Sequence, residues 1–278
     1  MGNSCGLANV YDESENIKKA ISGLELSPFY PHLDELKTDI SGTIITPDMA
    51  KEYSEARNRV YNFDQRGYPL IIVRPSDTKD VATIIRFVNK YAKGVTLCVA
   101  SGCHSARCMQ NDAFVIDLVH LNKTKLMKDK MVIEAGGGCY LEEVDKALVN
   151  DNLGVTVGTY PYTGIGGLVT AAGIGHLGRL YGFSCDNVVE LEVVLANGDI
   201  VIANDDNEYS DLIWGIRGGG GNFGIVTKFT LKVHQLPSKC FGGIVVKLAP
   251  TISSAASIYQ KMDRMLQVLQ IISSFGSH

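Results

Sequence analysis

Two short apolar runs on either side of one amphipathic stripe constrain the fold of this chain more than any other feature. Residues 70–73 have the length and apolar character of a buried strand, and residues 95–99 also read as a strand. Between them, four apolar residues repeat at helical spacing: Val81, Ile84, Ile85 and Val88. We expect Ser76 to cap this helix and Gly94 to end it. The pattern therefore predicts a β-α-β unit.

A loop of small residues follows the second strand and carries a single histidine. Its residues are Ala100, Ser101, Gly102, Cys103, His104 and Ser105. Because small side chains leave the backbone N–H groups accessible, such a loop can approach an anion closely. The imidazole adds one nucleophilic nitrogen. Two more glycine-rich segments, 164–182 and 218–224, extend the pattern and indicate a large cofactor that carries phosphate.

Composition narrows the function classes. The 29 glycines among 278 residues are clustered, which favours cofactor loops over low complexity. A net charge of -4 gives no basic excess for binding nucleic acid. The seven cysteines are odd in number and no signal peptide precedes them, so we expect reduced thiols and a cytoplasmic location.

The first residues bear on membrane attachment. Gly2 and Cys5 are acceptors for acyl chains, but Gly6 stands where the myristoylation pattern needs Ser or Thr. We expect a membrane partner only if the N-terminus is acylated. No apolar run is long enough to span a bilayer.

The rest of the chain alternates between predicted helices and strands. Residues 13–63 look helical, and Asn197-Gly198 predicts a tight hairpin turn between strands 190–195 and 200–203. We interpret Trp214, the only tryptophan, as a core residue. The other predicted elements are strands 114–118, 131–135, 225–233 and 243–248, and helices 141–149 and 253–272.

One glycine string is misleading. Gly173–Gly178 fits G-x-G-x-x-G, but a dinucleotide-binding fingerprint needs a strand directly before it. The preceding residues, 164–172, are themselves small and glycine-rich. The nicotinamide interpretation is therefore disfavoured.

The combination of segments is more specific than any single string. Residues 69–236 resemble the FAD-binding domain of the vanillyl-alcohol oxidase superfamily, most closely its berberine bridge enzyme-like branch. The segments that carry the resemblance are Val73-Arg74-Pro75, Ser101-Gly102-Cys103-His104-Ser105, Val115-Ile116-Asp117-Leu118, Gly164-Ile165-Gly166-Gly167, Arg179-Leu180-Tyr181-Gly182, Asp186-Asn187-Val188 and the run from Asp211 to Gly224. Their order and spacing agree over about 60% of the chain.

The resemblance implies an α+β fold, with a PCMH-type FAD-binding domain made of two α/β subdomains. On this basis residues 1–66 are a helical extension and residues 67–236 form the FAD-binding domain. Residues 237–278 are then only the start of a second, substrate-binding domain. In the family that second domain shapes the substrate pocket and supplies the base, so no catalytic residue is assigned here.

The resemblance also implies a cofactor site. His104 corresponds to the histidine that attaches covalently to the 8α-methyl group of FAD, and residues 100–105 would cradle the pyrophosphate. The other cofactor-binding residues carried over from the family are Thr163, Gly164, Gly166, Gly167, Gly221, Phe223, Gly224 and Val226.

Three positions depart from the family pattern. Cys103 and Cys108 stand where glycine is usual, and a Cβ at a position that needs positive φ costs about 1 kcal/mol or more. Tyr160 replaces a cysteine that makes a second flavin bond in many members. We therefore expect at most one covalent bond, through His104.

Three functions remain open at this point. The first is an FAD-dependent oxidase that takes hydride from an alcohol or sugar-like substrate and passes electrons to dioxygen, giving hydrogen peroxide. The second is a truncated, non-catalytic chain that binds flavin. The third is a metal site, because Cys98, Cys103, His104 and Cys108 place soft ligands at short range. That spacing is not typical of zinc, so we expect no metal.

Overall fold

The computed structural model describes residues 13–239 and 246–275. It divides into two units after Leu236. The described helices are α1 (Glu13–Glu25), α2 (Leu33–Asp39), α3 (Ala50–Arg57), α4 (Thr78–Tyr91), α5 (Leu141–Leu148), α6 (Ile165–Thr170), α7 (Gly178–Tyr181), α8 (Ser210–Gly219) and α9 (Ile252–Phe275). The described strands are β1 (Thr43–Ile45), β2 (Ile71–Arg74), β3 (Thr96–Ala100), β4 (Ala113–Asp117), β5 (Thr124–Met127), β6 (Val132–Gly136), β7 (Leu153–Gly154), β8 (Val188–Val194), β9 (Ile200–Asn204), β10 (Ile225–Lys232) and β11 (His234–Gln235).

The first sheet contains the predicted β-α-β unit. Its strand order is β1-β2-β4-β3, so β4 lies between the two strands that α4 connects. Both β2 and β3 run parallel to β4, with Val115 opposite Ile72 on one side and Cys98 on the other. All five residues of β4 are buried, as expected for a central strand covered on both faces.

The second sheet is antiparallel, in the order β5-β6-β10-β8-β9. The predicted hairpin is β8–β9, and Gly198 in its turn has a φ of 85°. Leu191 and Phe229 lie in the core of this sheet, together with apolar residues of α5 and α8. A two-stranded pair, β11-β7, completes the strands of this unit. The expected α+β class is confirmed.

Helix α4 holds the two sheets together because its two faces have different partners. Its apolar stripe, including Val81 and Ile84, belongs to the core of the first sheet. Its polar face reaches the β8–β9 turn, where Arg86 Nη2 donates to the Gly198 carbonyl at 2.6 Å and Asn89 Nδ2 to the Ala196 carbonyl at 2.6 Å.

Local expectations needed three corrections. The N-cap of α4 is Asp77, whose carboxylate accepts from the Asp80 N–H at 2.9 Å, and not Ser76. The helical N-terminal region also contains β1, which pairs antiparallel with β2. Trp214 is 77% exposed, because α8 buries the face that carries Ile213 and Ile216.

The chain after Leu236 is described in part. Helix α9 agrees with the predicted helix 253–272. The predicted strand 243–248 falls partly outside the described residues, and 246–248 are not in a strand. Gly2 and Cys5 also lie outside the described residues. The assignment of 237–278 to a substrate domain stays a prediction. None of the described helices combines the length and apolar character needed to cross a bilayer.

We expect Arg86→Ala to lower the free energy of unfolding by about 0.5–1.5 kcal/mol, because a partly buried hydrogen bond to a carbonyl is lost between the two sheets. Urea denaturation measures this change. Lys90→Ala on the same helix is the control, since the Lys90–Glu35 pair is exposed and should matter little. Equal stability of the two variants would contradict the role given to α4.

Candidate functional site

Three parallel strands bring the candidate residues to one edge of the first sheet. Because β2, β3 and β4 are parallel, their carboxyl ends meet there. These ends are Arg74, Ala100 and Asp117, and the His104 loop follows directly from Ala100. Ligands of parallel sheets bind at such edges. The topology therefore places the predicted loop where a cofactor site is expected.

A buried carboxylate organises this edge. Asp117 is 0% exposed and forms ion pairs with Arg59 Nη1 and with Arg74 Nε, the latter at 2.9 Å. It also accepts from the Val119 N–H at 3.3 Å. The two carboxylate oxygens thus have three donors between them, which compensates for taking the charge out of water.

Arg59 connects this ion cluster to the His104 loop. Its Nη2 donates to the Ser101 carbonyl at 2.6 Å and to the Tyr140 hydroxyl at 3.2 Å. Burial opposes the charged form, but the Asp117 carboxylate outweighs it and raises the pKa of the guanidinium. Arg59 is therefore a permanent cation that fixes the start of the loop.

The loop packs directly on a glycine segment more than 60 residues away in sequence. A Cβ added to Gly102 would lie 2.0 Å from the Gly164 nitrogen, and one added to Gly164 would lie 2.1 Å from the Gly102 nitrogen. Ser101 Oγ donates to the Gly137 carbonyl at 2.7 Å. A Cβ at Gly166 would meet Ser101 Oγ at 3.1 Å. Glycine is thus required for the contact between the two segments.

The backbone of the loop fits a phosphate group. Gly102 and Cys103 are buried, yet among the described residues no protein acceptor pairs with their N–H groups. A buried N–H without an acceptor is costly, and an anionic oxygen would satisfy it. Gly167 adds open space, since a Cβ there would meet nothing within 4 Å. The residues present therefore fit the expected FAD.

Cys103 occupies a backbone conformation that favours glycine. Its φ is 54°, in the left-handed region, as the family pattern of glycine at this position suggests. Cys108, the second departure, does not have a positive φ. A hydrogen bond with Cys108 and burial raise the pKa of the Cys103 thiol. At neutral pH this thiol therefore stays protonated, which makes it a weak nucleophile.

His104 is exposed and lies within a group of tyrosines. Its ring stacks on Tyr61, with centroids 4.5 Å apart and planes at 14°. Tyr160 meets it edge-on, at 5.6 Å and 74°. The position at which many family members carry a second flavin-bonding cysteine therefore faces His104 here, but as a phenol.

The structure places the remaining predicted cofactor residues less closely together. Thr163 lies in the turn before Gly164, and its N–H donates to the Tyr160 carbonyl at 3.1 Å. Gly221 is in a 3-10 turn beside α6. The Phe223 ring packs against Gly219, so closely that a Cβ added to Gly219 would lie 2.9 Å from it.

Val226 belongs to the second sheet, and Gly224 lies just before strand β10 of that sheet. Gly224 has a φ of 152° and packs closely on Val193 and Val194. Val226 is in β10, and its carbonyl oxygen packs against Gly137. A Cβ added to Gly137 would lie only 2.3 Å from that oxygen. Because Ser101 also bonds to Gly137, Val226 is linked to the His104 loop through that glycine.

The alternative metal site is not assembled. Within residues 13–239 and 246–275, no three side chains of His, Cys, Asp or Glu converge as metal ligands. Cys98, Cys103 and Cys108 instead share one apolar cluster with Tyr53 and Met109. The misleading glycine string also lacks its strand, since α6 precedes Gly173.

Sequence reasoning missed the residues that hold the loop. Arg74 and Asp117 lie in segments that carry the family resemblance, but no function was predicted for them. A charged residue at the end of an apolar strand could have indicated their place in the site. Arg59 and Tyr61 lie before residue 69, outside the resembling region. No local pattern marks them, because their partners lie more than 40 residues away.

Comparison with known proteins is consistent with this geometry. Residues 69–204 match the FAD binding domain family. The chain is 37% identical over 206 residues to the FAD-linked oxidoreductase pgmH of Aspergillus terreus, covering 73% of this chain and 41% of that protein.

Two solved structures share the fold. The 6-hydroxy-D-nicotine oxidase from Arthrobacter nicotinovorans has a TM-score of 0.67 and 28% identity, over 71% of this chain and 43% of that one. Berberine bridge enzyme from Eschscholzia californica has a TM-score of 0.67 and 26% identity, over 74% of this chain and 43% of that one. The chain therefore spans about two fifths of the length of these relatives.

Two substitutions of Cys103 test its backbone strain. Glycine tolerates positive φ, so we expect Cys103→Gly to be more stable than Cys103→Ala by about 1 kcal/mol in chemical denaturation. Cys108→Gly and Cys108→Ala are the control. Here the alanine variant should be the more stable, because the backbone at Cys108 is not left-handed. An identical order at both positions would contradict the strain.

Two glycine variants separate packing from cofactor binding. Gly164→Ala should destabilise the chain, since its Cβ would overlap the Gly102 backbone. Gly167→Ala should leave the thermal midpoint unchanged or higher, because it adds a better helix former in open space. If FAD occupies that space, the same variant should bind FAD at least tenfold more weakly in a fluorescence titration. Unchanged affinity would place the cofactor elsewhere.

Proposed function

The chain belongs to the FAD binding domain family through residues 69–204, and from this premise we propose that it is an FAD-dependent oxidase with covalently attached flavin. One observation carries the proposal. The loop with His104 and the glycine segment with Gly164 and Gly167 lie against each other, although they are far apart in sequence. A nucleophile, N–H groups without a protein acceptor in the described structure and open glycine backbone thus meet at one sheet edge.

The backbone of the loop would hold the pyrophosphate. The N–H groups of Gly102 and Cys103 point to this role, because they lack protein acceptors in the described structure. Arg59 fixes the loop through the Ser101 carbonyl. Gly164, Gly166 and Gly167 would let the chain pass close to the flavin ring, while Gly221, Phe223, Gly224 and Val226 would pack near the adenosine or the ring edge.

His104 would provide the covalent link. A neutral imidazole is a competent nucleophile near pH 7, and the ring is accessible. Tyr160 faces it where a second bond would otherwise form, and a phenol does not replace a thiolate in that reaction. The proposed attachment therefore has a single bond.

The reaction proposed is oxidation of a small molecule. When bound, FAD supplies a hydride acceptor that dioxygen reoxidises with release of hydrogen peroxide. The substrate proposed is an alcohol or a sugar-like compound, although one relative is named for 6-hydroxy-D-nicotine. No catalytic base is assigned to this chain. A cytoplasmic location, expected from the odd number of cysteines, belongs to the same proposal.

His104→Ala tests the covalent link. Acid-precipitated wild-type chain should keep its yellow colour, whereas the His104→Ala pellet should be colourless because no nitrogen is left to bond the flavin. Absorbance of the redissolved pellet measures the difference. His120→Ala removes another exposed histidine and should keep the colour. A yellow His104→Ala pellet would refute attachment at this residue.

Turnover is tested separately. Anaerobic mixing with a panel of alcohols and sugars should bleach the flavin absorbance, and readmitted air should release peroxide. Flavin that is bound but that no panel member bleaches would favour the alternative of a non-catalytic flavin-binding chain. This outcome would leave the cofactor proposal standing.

A further inference from the structure

Tyr61 has the closest aromatic contact with His104, and it has no role in the function proposed above. It lies between α3 and β2, ahead of the matched region 69–204. The two rings are stacked, at 4.5 Å and 14°. The Tyr61 N–H also donates to the Cys103 carbonyl at 3.0 Å. Its backbone is thus attached to the residue directly before His104.

The segment that carries Tyr61 is held by contacts that do not involve its side chain. Arg59, two residues earlier, is anchored by the buried Asp117 and bonds to the Ser101 carbonyl. The segment is therefore fastened to the loop at Ser101 and at Cys103. Removing the Tyr61 ring should leave these attachments in place, so the ring's own effect can be measured.

His104 needs such a neighbour because it is exposed. An exposed side chain changes rotamer on the picosecond to nanosecond timescale. Nucleophilic attack requires the reacting atoms to be held near contact distance. Stacking on Tyr61 restricts the imidazole on one face, and Tyr160 limits it from the side.

We propose that Tyr61 is a positioning residue that holds the His104 imidazole in the orientation for bonding to the flavin 8α carbon. The role rests on the proposed covalent attachment. In that step a C8α–H bond and an imidazole N–H bond are lost and one N–C8α bond forms. The two protons and two electrons would remain on the flavin as its reduced form, until dioxygen takes them up as hydrogen peroxide.

The experiment measures the rate of attachment. Chain expressed without riboflavin is mixed with FAD in air, and acid-stable flavin is followed over time. Aromatic stacking is worth about 0.5–1.5 kcal/mol, so Tyr61→Leu should slow attachment by about three- to tenfold. Tyr61→Phe keeps the stack and should restore a rate within about twofold of wild type. FAD bound before attachment, measured by fluorescence quenching, should be equal in all three.

A matched control comes from a second stack in the chain. Tyr91 stacks on His32 at 3.8 Å and 13°, and its hydroxyl donates to the Glu35 carboxylate rather than to the His104 loop. Tyr91→Leu makes the same chemical change and should leave the attachment rate unchanged. The circular dichroism spectrum of each variant verifies folding.

The outcomes are distinguishable. A wild-type rate in Tyr61→Leu overturns the proposal, and so does an equal loss in Tyr61→Leu and Tyr61→Phe, because the hydroxyl would then be responsible. If Tyr91→Leu also slowed flavin attachment, the slower rate of Tyr61→Leu would reflect general destabilisation, and the proposal would be overturned. If wild-type chain binds FAD but never forms acid-stable flavin, covalent attachment itself fails, and the role of Tyr61 fails with it.

Discussion

The buried carboxylate of Asp117 is the interaction on which the rest of the site depends. It lies at the end of a central strand, fully removed from solvent, with Arg59 and Arg74 as its ion-pair partners. Breaking a buried pair by removing one partner costs about 3–5 kcal/mol. Arg59 then bonds to Ser101, so the ion cluster fixes the start of the His104 loop. The electrostatics of the sheet edge thus determine where the loop lies.

The loop itself has two parts with different environments. Gly102 and Cys103 are buried and pack against the glycine segment, which limits them to backbone interactions with a ligand. His104 is exposed and surrounded by aromatic rings, which limits its motion without removing it from solvent. Cys103 makes the turn between the two parts with a positive φ, a conformation that glycine adopts without strain. The proposed phosphate binding and the proposed covalent bond would therefore involve adjacent but physically distinct residues.

Most of the fold could be predicted because its signals are local. The helical spacing of apolar residues predicts α4, and the dipeptide Asn197-Gly198 predicts the β8–β9 hairpin. Three predictions were wrong for different reasons. The N-cap of α4 was assigned to Ser76 because two adjacent residues, Ser76 and Asp77, can both cap a helix. Strand β1 was missed because it is short and is stabilised by pairing with β2. Trp214 was misassigned because a large aromatic residue suggested burial, whereas α8 buries a different face.

The amino-acid sequence by itself determined the elements, the glycine-rich loops and the single histidine among them. It also indicated FAD, because the order of those loops is specific to a family. Only the tertiary structure decided which loops touch, which residue holds each of them and what surrounds His104. Arg59, Asp117 and Tyr61 act through partners that are distant along the chain but close in space. Local patterns report propensity within a few residues, whereas a binding site is made by long-range packing, and only the folded chain brings those residues together.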